Sequence, residues 1–105
     1  KMRSVDVYMN DRFAGVLSEV SPSEYRFRYD DRYFSDVSTP SISATLPKTQ
    51  QEYTSGRVFP FFTNMLPEGG NRRIACRRNK VDEDDFFGML MMMRGADFIG
   101  AVNLR

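Results

Sequence analysis

The chain has 105 residues, 41% hydrophobic and 28% charged, with nine Phe and five Tyr, enough apolar mass for a single packed core, so residues 1–105 read as one domain. Fifteen basic against fourteen acidic side chains give a net charge of +1, which excludes a bulk pull toward nucleic acid or an anionic membrane. With no His and only Cys76, the chain alone cannot assemble a Cys/His zinc site, a Ser-His or Cys-His nucleophile pair, or an intrachain disulfide.

Val5, Val7 and Met9 alternate with Ser4, Asp6 and Tyr8. Asn10, Asp11 and Arg12 then supply turn chemistry before residues 13–17 resume an extended run, which predicts a hairpin. After a turn at Ser21, Pro22 and Ser23, Tyr25, Phe27 and Tyr29 alternate with Arg26 and Arg28. That period of two places three aromatics on one sheet face and two guanidinium groups on the other. Residues 30–40 are polar and turn-rich, whereas Ile42, Ala44 and Leu46 alternate with Ser41, Ser43 and Thr45 and predict a fourth strand ending at Pro47. Residues 48–56 are polar apart from Tyr53 and show neither period, as a surface loop would.

Phe59, Phe62 and Leu66 recur at helical spacing, with Pro60 tolerable in the first turn and Pro67 closing the helix. Glu68, Gly69 and Gly70 make a break, and residues 71–79 suit a second helix carrying Arg72, Arg73, Arg77 and Arg78. Asp82 can cap a third helix, with Glu83, Asp84 and Asp85 in its first turn and Phe86, Met89, Leu90 and Met93 as its buried stripe. Gly95 stops this helix and residues 98–104 read as a last strand. The expected class is α+β: a small, mainly antiparallel sheet or partly open barrel of about five strands, with two to three helices inserted before the last strand.

The arginines at 72, 73, 77 and 78, with Lys80, concentrate positive charge on about two turns of helix. Phosphate contact is one use, but the acidic run at 82–85 weakens the field within a Debye length of about 8–10 Å. A solvated face pairing with nearby carboxylates fits the charge pattern better than nucleic acid. A protein partner whose carboxylates take the guanidinium forks is a third use. Gly69 and Gly70 before a helix serve as a hinge more readily than as an anion cradle, because no Lys-Ser or Lys-Thr follows. Asp85-Phe86-Phe87-Gly88 superficially matches the metal-binding Asp-Phe-Gly of kinases, but an extra Phe breaks the triplet and no Gly-rich or catalytic loop precedes it. The carboxylates at 82–85 read as helix-start residues, Met91, Met92 and Met93 as core filler, and Cys76 as a small buried hydrophobe. The single cysteine also suits a reducing compartment, and with no apolar run near about 20 residues and no signal pattern the expected location is cytoplasmic, away from any membrane.

The segment from Arg57 through Val58, Phe59, Pro60, Phe61, Phe62, Thr63, Asn64, Met65, Leu66, Pro67, Glu68, Gly69, Gly70 and Asn71 to Arg72 resembles the Phe-Phe-x-Asn-Leu-Leu-Pro-Glu-Gly signature of the N-terminal subdomain of HipA-type serine/threonine kinases, the toxins of bacterial toxin-antitoxin systems. Other blocks agree in order: residues 8–17 with Asn-x-x-x-x-Gly-x-Leu, residues 43–47 with Ser-x-x-Leu-Pro, and residues 95–102 with Gly-x-Asp-x-x-Gly-Ala-Val. The resemblance implies a small sheet or barrel with helices that leans on a kinase core and holds none of its ATP or magnesium ligands, so no cofactor and no enzyme activity are expected of this chain. Three-component systems of the family include a kinase that lacks the subdomain and a separate small antitoxin, HipS, that resembles the missing piece and binds the kinase. A free-standing regulator of that kind is the expectation. Its partner would be a HipA-like (HipT-type) kinase, with a DNA-binding HipB-like protein as a further member of the complex. An N-terminal fragment of a longer kinase, and a nucleic-acid module built on the arginine helix, are the alternatives. Partner contacts are expected at Lys48, Tyr53 and Arg57 in the irregular loop, and at Glu68, Arg72 and Arg73 beside the glycine break, since Tyr and Arg favour interfaces.

Overall fold

The structure, a computed structural model, describes residues 2–95 and 101–105. Along the chain run β1 (Arg3–Met9), β2 (Arg12–Ser21), β3 (Glu24–Tyr29), α1 (Asp31–Ser35), β4 (Glu52–Ser55), α2 (Pro60–Thr63), α3 (Gly69–Asn79), α4 (Phe86–Met92) and β5 (Val102–Leu104). The strands form one open antiparallel sheet in the order β4-β3-β2-β1-β5.

The predicted hairpin is β1–β2. Its two turn residues, Asn10 (φ 51°) and Asp11 (φ 64°), both take the left-handed conformation that matches a two-residue turn to strand twist, a conformation Asn and Asp adopt more readily than most residues. The register slips between Val7↔Gly15 and Tyr8↔Phe13, leaving Ala14 as the extra residue of a bulge. Alternation then decides the faces: Val5, Val7, Leu17, Phe27, Tyr29 and Leu104 are buried under the helices, with Phe62 of α2 and Phe87, Met89 and Leu90 of α4 completing the core. On the other face Arg26 and Arg28 pair with Glu24, Glu52 and Asp31.

Three helices precede β5 as expected, and α1 is a fourth that the polar reading of residues 30–40 did not anticipate. Its cap is Asp30, whose carboxylate accepts from Arg32 N and Tyr33 N, and Tyr33 is buried in a parallel stack on Tyr29 with ring centroids 5.9 Å apart. Residues 41–47 are not a strand. Ile42 and Leu46 are buried but Ala44 is exposed, and Ser43 turns the chain by accepting from Thr45 N and, through its carbonyl, from Leu46 N. Ser and Thr compete with ladder hydrogen bonds in this way. What holds the segment is the Tyr29 hydroxyl, which donates to the Leu46 carbonyl and accepts from Ile42 N at 3.1 Å.

The fourth strand lies inside the stretch read as loop: β4 pairs Arg28↔Glu52, Phe27↔Tyr53 and Arg26↔Thr54. It forms one edge of the sheet and β5, three residues long, the other. The last strand is Val102–Leu104, and residues 98–100 of its predicted span lie outside the described residues. Among the described residues, no helix is long and apolar enough to cross a membrane.

The buried Tyr29 hydroxyl yields a direct test. Tyr29→Phe strands the Ile42 N–H and the Leu46 carbonyl together, and should lower stability by about 2 kcal/mol. Tyr53→Phe removes a single bond to the Pro47 carbonyl at a part-buried site and should cost about 1 kcal/mol or less. Urea unfolding of both variants against the parent reads the difference.

Candidate partner-binding site

Phe59 caps α2 in an extended conformation, Pro60 occupies its first turn, and one turn later Phe62 is fully buried against Phe27, with ring centroids 5.9 Å apart. The segment between α2 and α3 is pinned by Leu66, which is buried. Glu68 is extended and Gly69 has φ +58° with nothing within 4 Å of where a Cβ would stand, so glycine is needed there for its backbone angle and not for space. The glycines are not a break between helices, since α3 begins at Gly69.

Arg72 closes the arrangement. Its Nε donates to the Pro67 carbonyl at 2.9 Å, and its guanidinium lies 5.5 Å from the centroid of the Phe86 ring. Around this pair opens a hollow of about 440 Å³ walled by Arg57, Pro60, Thr63, Asn64 and Glu68. Three of the six residues expected to contact a partner, Arg57, Glu68 and Arg72, therefore meet at one place.

The other three lie elsewhere. Lys48 is turned inward: its Nζ donates to the carbonyls of Asp36 (2.7 Å) and Thr39 (3.0 Å) and to Thr39 Oγ1 (2.5 Å), and sits 5.3 Å from the Tyr33 ring centroid. Tyr53 is on the edge strand β4, its hydroxyl donating to the Pro47 carbonyl at 2.5 Å. Arg73 is exposed on α3 and does not wall the hollow.

Phe86 is the wall residue that the sequence reading placed in the core. The acidic run misled it: the cap is Asp85 and not Asp82, so α4 starts at Phe86 and buries Phe87, Met89 and Leu90, while Phe86 stays 39% exposed. A count of helical phase from Asp85 would have found this. The identity of the cap is set by tertiary contacts. Asp85 accepts from Gly88 N at 2.9 Å and takes two further bonds, both 2.9 Å, from Arg3. Arg3 also forks onto Glu19 at 2.7 and 2.8 Å and lies 5.3 Å from the Phe87 ring centroid. This clamp fastens the start of α4 to β1 and β2, and so fixes Phe86.

Hydrogen bonds from Arg3 hold both carboxyls, Glu19 and Asp85, below the usual carboxylate range, with burial opposing them. A carboxyl whose folded pKa is depressed stabilises the protein fully above its unfolded value, near about 4, and the contribution disappears as pH falls through the folded value. Stability should therefore drop from about pH 4 downward. Asp36, held at about 2 by Ser38 and Arg12, adds to that acid limb. Because Arg3 and Asp85 side chains are about a third exposed, solvent screening reduces the effect. Arg3→Met should cost about 2 kcal/mol at pH 7 and flatten the acid limb, read as Tm against pH.

Burial pushes the Cys76 thiol up from its usual value despite Arg72 nearby, in keeping with an unreactive residue. Among the described residues, no cluster of carboxylates and cysteine could hold a metal ion.

The family model described as "HipA N-terminal domain" matches residues 5–105. The chain belongs to the HipA N-terminal domain family. A solved structure of the "N-terminal domain of HipA toxin" superposes with a TM-score of 0.66 at 22% identity, covering 98% of this chain and 92% of that one, so the fold is that of the HipA N-terminal domain. "Putative kinase Y4mE" and "Putative kinase Y4dM" of Sinorhizobium fredii are 27% and 28% identical over 98% and 99% of this chain. The chain spans only 24% and 27% of those two relatives, about a quarter of their length. An "Uncharacterized protein" of Haemophilus influenzae is 28% identical and is covered over 92% of its own length. The span matched by the family model includes residues 57–72, which build the hollow, and only the N-terminal domain, not a kinase catalytic core, is matched by that model.

Proposed function

We propose that this HipA N-terminal domain binds a HipA-like serine/threonine kinase present as a separate polypeptide and restrains it, acting as an antitoxin in the cytoplasm. The observation that carries this reading is the Haemophilus relative, covered over 92% of its length by a fold of this size: the domain occurs as nearly the whole of a protein. Such a domain does no chemistry. Phosphoryl transfer depends on positioning, so a lobe that holds the kinase in an incompetent arrangement, or covers its nucleotide or substrate cleft, is enough to restrain it. The hollow between Arg57, Glu68, Arg72 and Phe86 offers a first contact, combining an aromatic face with guanidinium forks. Lys48 keeps its internal bonds in this reading.

The test is co-purification with a HipA-like kinase that lacks its own N-terminal subdomain, followed by kinase autophosphorylation with and without this chain. A complex at micromolar concentration and slower autophosphorylation are expected. Absence of association at that concentration overturns the reading. A DNA-binding HipB-like protein would join the complex as a third member, visible as a shift in size-exclusion mass.

The two Sinorhizobium relatives, in which the same fold is about a quarter of a longer chain, favour a second reading, that of a non-catalytic lobe joined covalently to its kinase. The length of the reading frame separates the two.

A further inference from the structure

α3 is an 11-residue helix of which only Cys76 is buried. Arg72 reaches back to the Pro67 carbonyl and Ala75 is half-buried, but Arg73, Ile74, Arg77 and Arg78 are exposed. A helix polar nearly all round survives in one of two ways: through many ion pairs along its own surface, or by lying between two bodies. At this length it is marginal alone in water. Among the described residues, no ion pair joins any α3 arginine to a carboxylate, although eight such bridges form elsewhere in the fold. Among the described residues, the face expected from the sequence to be solvated and paired is thus solvated without pairing, which favours the second route.

The arrangement of the outward face points to the second. Steps of about 100° per residue place Arg73, Arg77, Ile74 and Arg78 within an arc of about 140°, opposite the side that carries Arg72, Ala75 and Cys76. Ile74, 59% exposed, stands inside that arc with guanidinium groups on both sides. An apolar centre with a charged rim is the make-up of a protein interface. A phosphate backbone has no use for a butyl side chain, and the exposed Asp82, Glu83 and Asp84 just beyond the helix would repel it. Arg77 and Arg78 also lie in the last turn, where positive charge favours the helix, but that would leave Arg73 and Ile74 unexplained.

Resting on the function proposed above, we infer that the outward face of α3 is the surface on which the kinase body docks: Ile74 enters an apolar depression there, and Arg73, Arg77 and Arg78 take carboxylates around it. In the Sinorhizobium relatives, where three quarters of the chain lies beyond this fold, the same helix would bridge the two parts.

The test compares the parent with Arg73→Gln/Arg77→Gln/Arg78→Gln and with Ile74→Asp, titrating each into a HipA-like kinase lacking its N-terminal subdomain at two salt concentrations. Glutamine keeps helix propensity, and melting curves check that both variants fold. The triple variant should bind about 30-fold or more weakly and lose most of its salt dependence, and Ile74→Asp should lose about tenfold or more. Amide exchange on the unaltered complex reads the same surface without substitution, with slowing expected across α3. Equal binding by parent and variants, or unchanged exchange in α3, overturns the docking surface and leaves the proposed function standing. A parent that does not bind the kinase overturns both. Binding of the parent to a 20-base-pair duplex with steep salt dependence, abolished in the triple variant, overturns the docking surface in favour of nucleic acid.

Discussion

Gly15→Ala is expected to cost about 3 kcal/mol or more, lowering Tm by roughly 15 °C. Gly15 lies in the central strand β2, paired with Val7 on one side and Tyr29 on the other. A Cβ there would stand 2.4 Å from the Arg28 carbonyl oxygen, 3.0 Å from Phe27 Cζ and 3.0 Å from Tyr29 Cα. Two of those three atoms are backbone, so the methyl cannot be absorbed by a rotamer change and the β2–β3 ladder must part. The β1–β2 bulge at Ala14 immediately precedes this position. Gly70→Ala is the control. Nothing lies within 4 Å of its would-be Cβ, and in the first turn of α3 alanine should be worth about 0.5–1 kcal/mol in the favourable direction. Thermal melts of the two variants should move in opposite directions, and a destabilisation by Gly15→Ala below about 1 kcal/mol would contradict the packing described.

Phe62→Ala is expected to cost about 3–5 kcal/mol. Phe62 is fully buried and touches three other aromatics, with centroids at 5.9 Å to Phe27, 6.4 Å to Phe59 and 5.1 Å to Phe61. Aromatic pairs add to the loss of area. It also seats the single turn of α2 against Phe27 of the sheet, so its loss loosens the Pro60, Thr63 and Asn64 wall of the hollow. Phe62→Leu restores most of the volume and should recover more than half of the stability. Denaturant midpoints at unchanged m-value give the stability, and the kinase titration described above should weaken in proportion for Phe62→Ala.

Elements written in local chemistry were legible. The Asn10-Asp11 turn and the alternation of Phe27 and Tyr29 with Arg26 and Arg28 each need only their own residues, and each lies where it was expected. Two errors share a cause. The Ser/Thr-rich stretch at 41–47 alternates like a strand, but β3 pairs instead with Glu52–Ser55, a polar segment with one tyrosine whose pairing is decided by the neighbouring strand. Likewise four consecutive acids offer four possible caps, and the choice of Asp85 depends on Arg3, 82 residues away in sequence. Of the residues expected to contact a partner, Arg57 from the irregular loop and Glu68 and Arg72 from beside the glycines stand together around the hollow. Lys48 stands apart from them, engaged with three acceptors, two of them backbone carbonyls, that are invisible in a sequence.

The outer strands of the sheet are four and three residues long, and Glu52 at one margin is engaged with Arg26 and Arg28 of its neighbour. Margins so brief and so charged give little template for another copy to add a strand. On the function proposed above, a lobe that binds through its helical side and withholds its sheet margins would stay apart from other copies even when made in excess over its partner.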